Sequence, residues 1–154
     1  MRKVSLLVNP LAGKGKALSI ADELQYLLKE LDIETDALMP TSRSEVTGVI
    51  NESVTSGIDT LLAVGGDGLI NQAVNVLAGT DTVLGLIPVG TGNDFARSLN
   101  LNSGGLLEQA HKALSPATEV DLIKCGPHHV ATSVICGFPA VVNLRANELR
   151  FVGA

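Results

Sequence analysis

The sequence predicts an α/β fold, a parallel sheet sandwiched between helices, with the first strands of a second, β-rich region near the C-terminus. Three observations carry this. Apolar runs of strand length alternate with segments of helical periodicity from residue 3 to about residue 114. Such alternation implies right-handed βαβ units and a sheet covered on both faces. Three of the four apolar runs lead into glycine-rich loops, and beyond about residue 116 two short strand-like runs follow with no helix between them.

The elements follow in order. "KVSLLVN" reads as a first, mostly buried strand, and "PLAGKGK" as the loop after it. "ALSIADELQYLLKEL" places Ile20, Leu24, Leu27, Leu28 and Leu31 at helical spacing. "IETDALM" reads as a second strand. "SRSEVTGVINESVTSG" reads as a helix capped by Ser42 or Ser44 and stopped at Gly57. "DTLLAVGG" is apolar throughout its centre, as a parallel strand buried on both faces should be. "LINQAVNVLAG" is a third helix with Gly79 as its stop, and "TVLGLIPVG" a fourth strand. "NDFARSLNL" and "GGLLEQAHKAL" are helical. "ATEVDLIKCGPHHVATSVICGF" reads as two strands turning at Gly126-Pro127. The division predicted is an α/β domain over 1–116 with Rossmann-like layering, and the start of a β-rich domain over 117–154.

Composition narrows the function. A chain of 154 residues suits one domain with a well-buried core. Net charge −5 and only four aromatic residues (Phe 3, Tyr 1, Trp 0) argue against nucleic acid as a partner, which calls for basic surface and stacking platforms. Charge is uneven: Arg2, Lys3, Lys14 and Lys16 lie in the first 16 residues without an acid, which predicts a positive patch near the first loop. No apolar run approaches the roughly 20 residues of a membrane-spanning helix. Val4 to Val8 is too short for a signal peptide's core of roughly 7–15 residues. If the hairpin turn is "GPHH", Cys125 pairs near His129 or Val130 and Cys136 lies far along the opposite strand, so no disulfide is expected. These features predict a cytoplasmic protein.

Ligands of an open parallel sheet bind outside the carboxyl ends of its strands. "NPLAGKGK", "GGDG" and "PVGTGND" all arrive at that edge. Backbone N–H groups in such loops form nests for phosphate oxygens, and the following helices add their positive ends. None matches GxxxxGK[ST] or GxGxxG. Asp67, set among Gly65, Gly66 and Gly68, suits Mg²⁺ held against nucleotide oxygens, and equally suits an N-cap of the third helix.

The motifs "VNPLAGKGKA", "AVGGDGLINQAVNVL" and "LGLIPVGTGNDFARSLNL", in this order, resemble the catalytic domain of the diacylglycerol kinase family, which includes sphingosine and ceramide kinases and bacterial soluble lipid kinases. NAD kinases and 6-phosphofructokinases are more distantly similar. The resemblance runs from Lys3 to about Leu101 and continues weakly through "EVDLIKCGPHHVATSVICGFPAVV". It implies ATP- and Mg-dependent phosphorylation of a lipid hydroxyl, with the nucleotide between two domains and transient contact with a membrane surface. Asn9, Gly13 and Lys14 match the first motif, near the phosphates. Thr41 matches a threonine near the nucleotide. Gly65, Gly66, Asp67 and Gly68 match the nucleotide loop, whose Asp is the catalytic and metal candidate. Gly90, Thr91, Gly92, Asn93 and Asp94 match the opposite wall of the cleft, with an N-cap pair for the next helix as the plainer reading of Asn93 and Asp94.

Departures are Leu69 and Gln72, where the family usually has Thr and Glu, and Pro139, where an acid is common. Family members are roughly twice as long, with a second domain supplying the lipid pocket and general base, so this chain is expected to be unable to catalyse alone. Two other readings stay open: a non-catalytic nucleotide-binding module that pairs with a partner or with itself through "VICGFPAVV", and an NAD kinase-like enzyme.

Overall fold

A computed structural model describes residues 2–134, 139–140 and 145. Among these, strands β1 (Val4–Val8), β2 (Thr35–Leu38), β3 (Thr60–Gly65) and β4 (Val83–Pro88) form one parallel sheet in the order β2-β1-β3-β4. The register runs Val4↔Thr35 between β1 and β2, Val4↔Thr60 between β1 and β3, and Thr60↔Val83 between β3 and β4. Helices α1 (Lys16–Glu30), α2 (Arg43–Thr55), α3 (Asp67–Leu77), α4 (Asp94–Ser98) and α5 (Leu106–Ala113) connect and cover it.

Strand side chains alternate between faces, and both faces are covered. Leu6, Val8, Leu62 and Val64 pack with Ala17, Ala21, Leu24 and Leu28 of α1 and Ala110 and Ala113 of α5. Leu7, Leu61, Ala63 and Leu86 pack with Val46 and Ile50 of α2, Ile70, Ala73 and Val74 of α3, and Phe95 of α4. The continuous apolar runs of β1 and β3 follow from this two-sided burial.

The predicted stripe of α1 is corrected in part. Leu24 and Leu28 are buried, but Leu31 ends 42% exposed beyond the helix, and Ala17 and Ala21 make the close approach to the sheet. Ala17 and Ala21 share the buried face with Leu24 and Leu28, whereas Leu31 follows the last helical residue and so leaves that face. Ser42 caps α2 as expected, its hydroxyl accepting from Glu45 N–H at 3.3 Å.

The expected positive patch does not form from all four cations. Arg2 and Lys3 stand before the start of β1, and Lys14 in the turn past its end with Lys16 at the start of α1, so the five-residue strand, spanning about 16 Å, lies between the two pairs. The C-terminal hairpin is β5 (Ile123–Cys125) and β6 (His128–Val130), an antiparallel pair in a separate sheet. Its turn is two residues, so Cys125 pairs with His128 and not with His129 or Val130. Gly126 takes φ +60 and Pro127 cannot, which selects a type II′ turn. Cys136 and most of "VICGFPAVV" lie outside the described residues. No helix of the described residues is long and apolar enough to cross a membrane.

Candidate functional site

Strand order reverses direction between β1, whose connection leads to β2, and β3, whose connection leads to β4. A crevice opens at such a point, beyond the carboxyl ends. Asn9 leaves β1 on one side of it and Gly66 leaves β3 on the other. The loop bases are laced together: Asn9 N–H donates to Val64 carbonyl at 3.1 Å, and Val89 N–H to Gly65 carbonyl at 2.9 Å.

After Asn9 the chain turns over Ala12–Gly15, with Gly13 and Lys14 both in the left-handed region. Asn9 Oδ1 accepts from Leu11 N–H at 3.1 Å, which starts the turn. Gly13 has φ +60, and a Cβ there would stand 2.6 Å from Val89 Cγ1. The glycine therefore lets the first loop press against the loop after β4. Lys14 and Lys16 are exposed.

Asp67 opens α3 but does not cap it. Gly66 is the N-cap and carries no side-chain cap. The half-buried carboxylate crosses to the next loop, where its Oδ2 accepts from Asn93 N–H at 2.7 Å. A Cβ on Gly92 would lie 2.7 Å from that same oxygen, so the loop can approach only because residue 92 has no side chain. The capping readings of this pair are thereby corrected. Asn93 holds the N-cap position of α4, in a left-handed conformation with φ +56, but its side chain donates back to Gly90 carbonyl at 3.1 Å and caps nothing.

Two oxygens remain. Asp67 Oδ1 and Asn93 Oδ1 are buried without a hydrogen-bond partner among the described residues. Leaving such an acceptor unpaired costs about 1–3 kcal/mol, more for a charged group. Both are acceptors, so a cation or a strong donor is what would satisfy them.

The other flank of the crevice is a cleft of about 220 Å³ lined by Asn9, Thr41, Arg43, Gly68, Leu69 and Gln72, among others. Glu45 shapes its rim. One carboxylate oxygen accepts from Thr41 N–H at 2.7 Å and from Thr41 Oγ1 at 2.9 Å. These bonds, the backbone one first, hold the Glu45 carboxyl below the usual carboxylate range. Gln72 Nε2 donates to Arg43 carbonyl at 3.1 Å and so tethers the start of α2 to α3. Leu69 is buried and would come within 2.8 Å of a Cβ on Gly65. The two departures thus serve packing and loop tethering here.

The residues singled out in the sequence divide into two neighbouring groups. Asn9, Thr41 and Gly68 line the cleft, and the half-buried Asp67 meets the buried Asn93 under the exposed glycines Gly90 and Gly92. Thr91, Asp94 and Lys14 are exposed at the same edge. Arg43, Glu45 and Val89 were not foreseen. The Ser42…Glu45 spacing of a capping box carried a signal for Glu45.

Comparison with known proteins adds the following. The family model described as the diacylglycerol kinase catalytic domain matches residues 3–125. A diacylglycerol kinase of Mycobacterium tuberculosis is 34% identical over 155 aligned residues, covering 97% of this chain and 50% of that one. A diacylglycerol kinase of Bacillus subtilis is 32% identical over 117, covering 75% of this chain and 39% of that one. The crystal structure of a diacylglycerol kinase from Bacillus anthracis superposes with a TM-score of 0.68 at 28% identity, over 83% of this chain and 45% of that one. The chain spans about half the length of the relatives it matches.

Proposed function

Because the chain belongs to the diacylglycerol kinase catalytic-domain family, we propose that it is the nucleotide-binding part of a lipid kinase, holding Mg-ATP at the crevice so that the terminal phosphoryl group faces a lipid hydroxyl. The observation that carries the reading is the pair of buried, unpartnered acceptors, Asp67 Oδ1 and Asn93 Oδ1, beside three glycine-rich loops. Acceptors alone suit a hard cation, so Asp67 is the residue that would hold Mg²⁺ and Asn93 the one that would support it. A divalent ion held there would supply neutralisation of the phosphate charge.

The chain's own contribution is positioning. Gly13, Gly65, Gly66 and Gly68 let backbone amides come close to phosphate oxygens, and Lys14 adds positive charge at the mouth. Gly90, Thr91, Gly92 and Asp94 form the facing wall. Asn9, Thr41 and Arg43 bound the cleft for the rest of the nucleotide. In the transfer a bond forms from the acceptor oxygen to the γ-phosphorus, the bond to the leaving ADP oxygen breaks, and the hydroxyl proton goes to a base. That base and the lipid pocket belong to the acceptor domain, whose first strands are the hairpin under the 1–116 and 117–154 division. A diacylglycerol-type acceptor resides in a bilayer, so the protein works at a membrane surface.

Calorimetric titration of the chain with ATP tests the reading. Binding that requires Mg²⁺ and disappears with EDTA is expected. The absence of heat with any adenine nucleotide in the presence of Mg²⁺ would overturn it.

A further inference from the structure

Helix α3 reaches three separate segments through three side chains. Asp67 in its first turn takes the N–H of Asn93, and Gln72 holds the carbonyl of Arg43. Asn75, a turn further on, takes hold of the C-terminal hairpin. Its amide makes three hydrogen bonds: Nδ2 donates to Asn71 carbonyl at 2.8 Å and to His129 carbonyl at 2.7 Å, while Oδ1 accepts from His129 N–H at 2.9 Å.

His129 lies directly opposite Lys124 in the hairpin. Beside a two-residue turn, that is the position where facing residues exchange no hydrogen bonds, so the N–H and C=O of His129 point outward from β5. Asn75 meets them with the donor–acceptor pair that a neighbouring strand would offer. Residues 123–125 of β5 are all exposed, and an isolated two-stranded hairpin is marginal in water. Besides Asn75, the half-buried Leu122 and Ala131 bind this region to the core.

We propose that Asn75 is a positioning residue: its side chain acts as a strand surrogate that registers the hairpin, and the chain that follows it, against the helix carrying Asp67. The two residues are eight apart on one helix, about 12 Å along its axis. The functional meaning rests on the kinase reading above, in which this strut sets where the acceptor domain begins relative to the nucleotide phosphates.

Amide hydrogen exchange of the nucleotide-free chain tests it. The reporters are the N–H groups of Cys125 and Val130, which face the partner strand, with Leu6 and Leu62 of the central sheet as controls. Asn75→Leu is expected to reduce protection of the hairpin amides at least tenfold and leave the controls within twofold. Asn75→Asp keeps the shape but loses the donor, so its hairpin protection is low at neutral pH. It returns toward that of the wild type at the same pH as the introduced carboxyl becomes protonated and regains an O–H. A role in helix propensity or volume alone gives no such recovery. Hairpin protection within twofold of wild type in Asn75→Leu, equal loss at Leu6 and Leu62, or no recovery of Asn75→Asp at low pH would each overturn the proposal. No nucleotide is present, so a failed Mg-ATP titration and a failed exchange experiment are separate results.

Discussion

Where the strands of the sheet begin, Arg2 donates to Thr60 Oγ1 at 2.9 Å and to Leu114 carbonyl at 2.6 Å, and Asp59 accepts from Lys3 N–H at 2.6 Å. Where they end, Asp67 Oδ1 and Asn93 Oδ1 are buried without partners among the described residues, and loops touch through positions that a Cβ would fill. The first edge has the larger hollow, about 610 Å³ against about 220 Å³. Size therefore does not locate the site. One edge satisfies these polar groups within the fold, and the other keeps two buried acceptors without partners among the described residues. Such imbalance supports the crevice as the ligand site proposed above.

Substitutions that add one methyl group separate the two kinds of glycine most strongly. At Gly85, in mid-strand, a Cβ would press on Leu62 Cδ2 and stand 3.0 Å from Ala113 carbonyl. Gly85→Ala is expected to destabilise the fold by about 1–3 kcal/mol, measured by urea denaturation, with the residual folded protein still binding Mg-ATP. Gly92→Ala displaces Asp67 Oδ2 from Asn93. We expect Mg-ATP affinity to fall at least tenfold in calorimetry, worth about 1.4 kcal/mol, with a smaller loss of stability than at Gly85.

Arg2→Ala examines the self-satisfied edge. Losing its two hydrogen bonds is expected to cost about 1 kcal/mol in denaturation and to leave nucleotide affinity unchanged. A change in affinity would mean that the two edges are coupled.

The smallest effect concerns Glu45, whose carboxyl is held low by Thr41 N–H and hydroxyl. A folded pKa below the unfolded one gives stability that is complete above the unfolded value and is lost as pH falls through the folded one. Glu45→Gln should lower the melting temperature slightly at neutral pH, where the stabilisation is fully present, and converge with wild type as pH falls through the carboxylate range, so that this part of the acid-side pH dependence disappears.

Local features of the fold were legible in the residues. The apolar runs of β1 and β3, the Ser42 cap of α2 and the Gly126-Pro127 turn each follow from neighbours within a few positions. What escaped are relations across the chain. The bond from Asp67 to Asn93 spans 26 positions and that from Asn75 to His129 spans 54, and no periodicity encodes either. The four early cations look clustered in the sequence, but an intervening strand carries them to opposite ends. Asp67 among glycines fits a cap as well as a ligand in sequence, and only the third dimension shows the carboxylate turned away from its own helix.

The most direct measurement compares the melting temperature of wild type and Asp67→Asn without ligand and with saturating Mg-ATP. Stabilisation by a ligand grows as RT ln(1 + [L]/Kd), so a tenfold loss of affinity removes about 1.4 kcal/mol of it. The account predicts that Asp67→Asn leaves the ligand-free stability within about 1 kcal/mol, because an amide carries no charge into that buried corner, and that most of the Mg-ATP shift disappears. A full Mg-ATP shift in Asp67→Asn would contradict it.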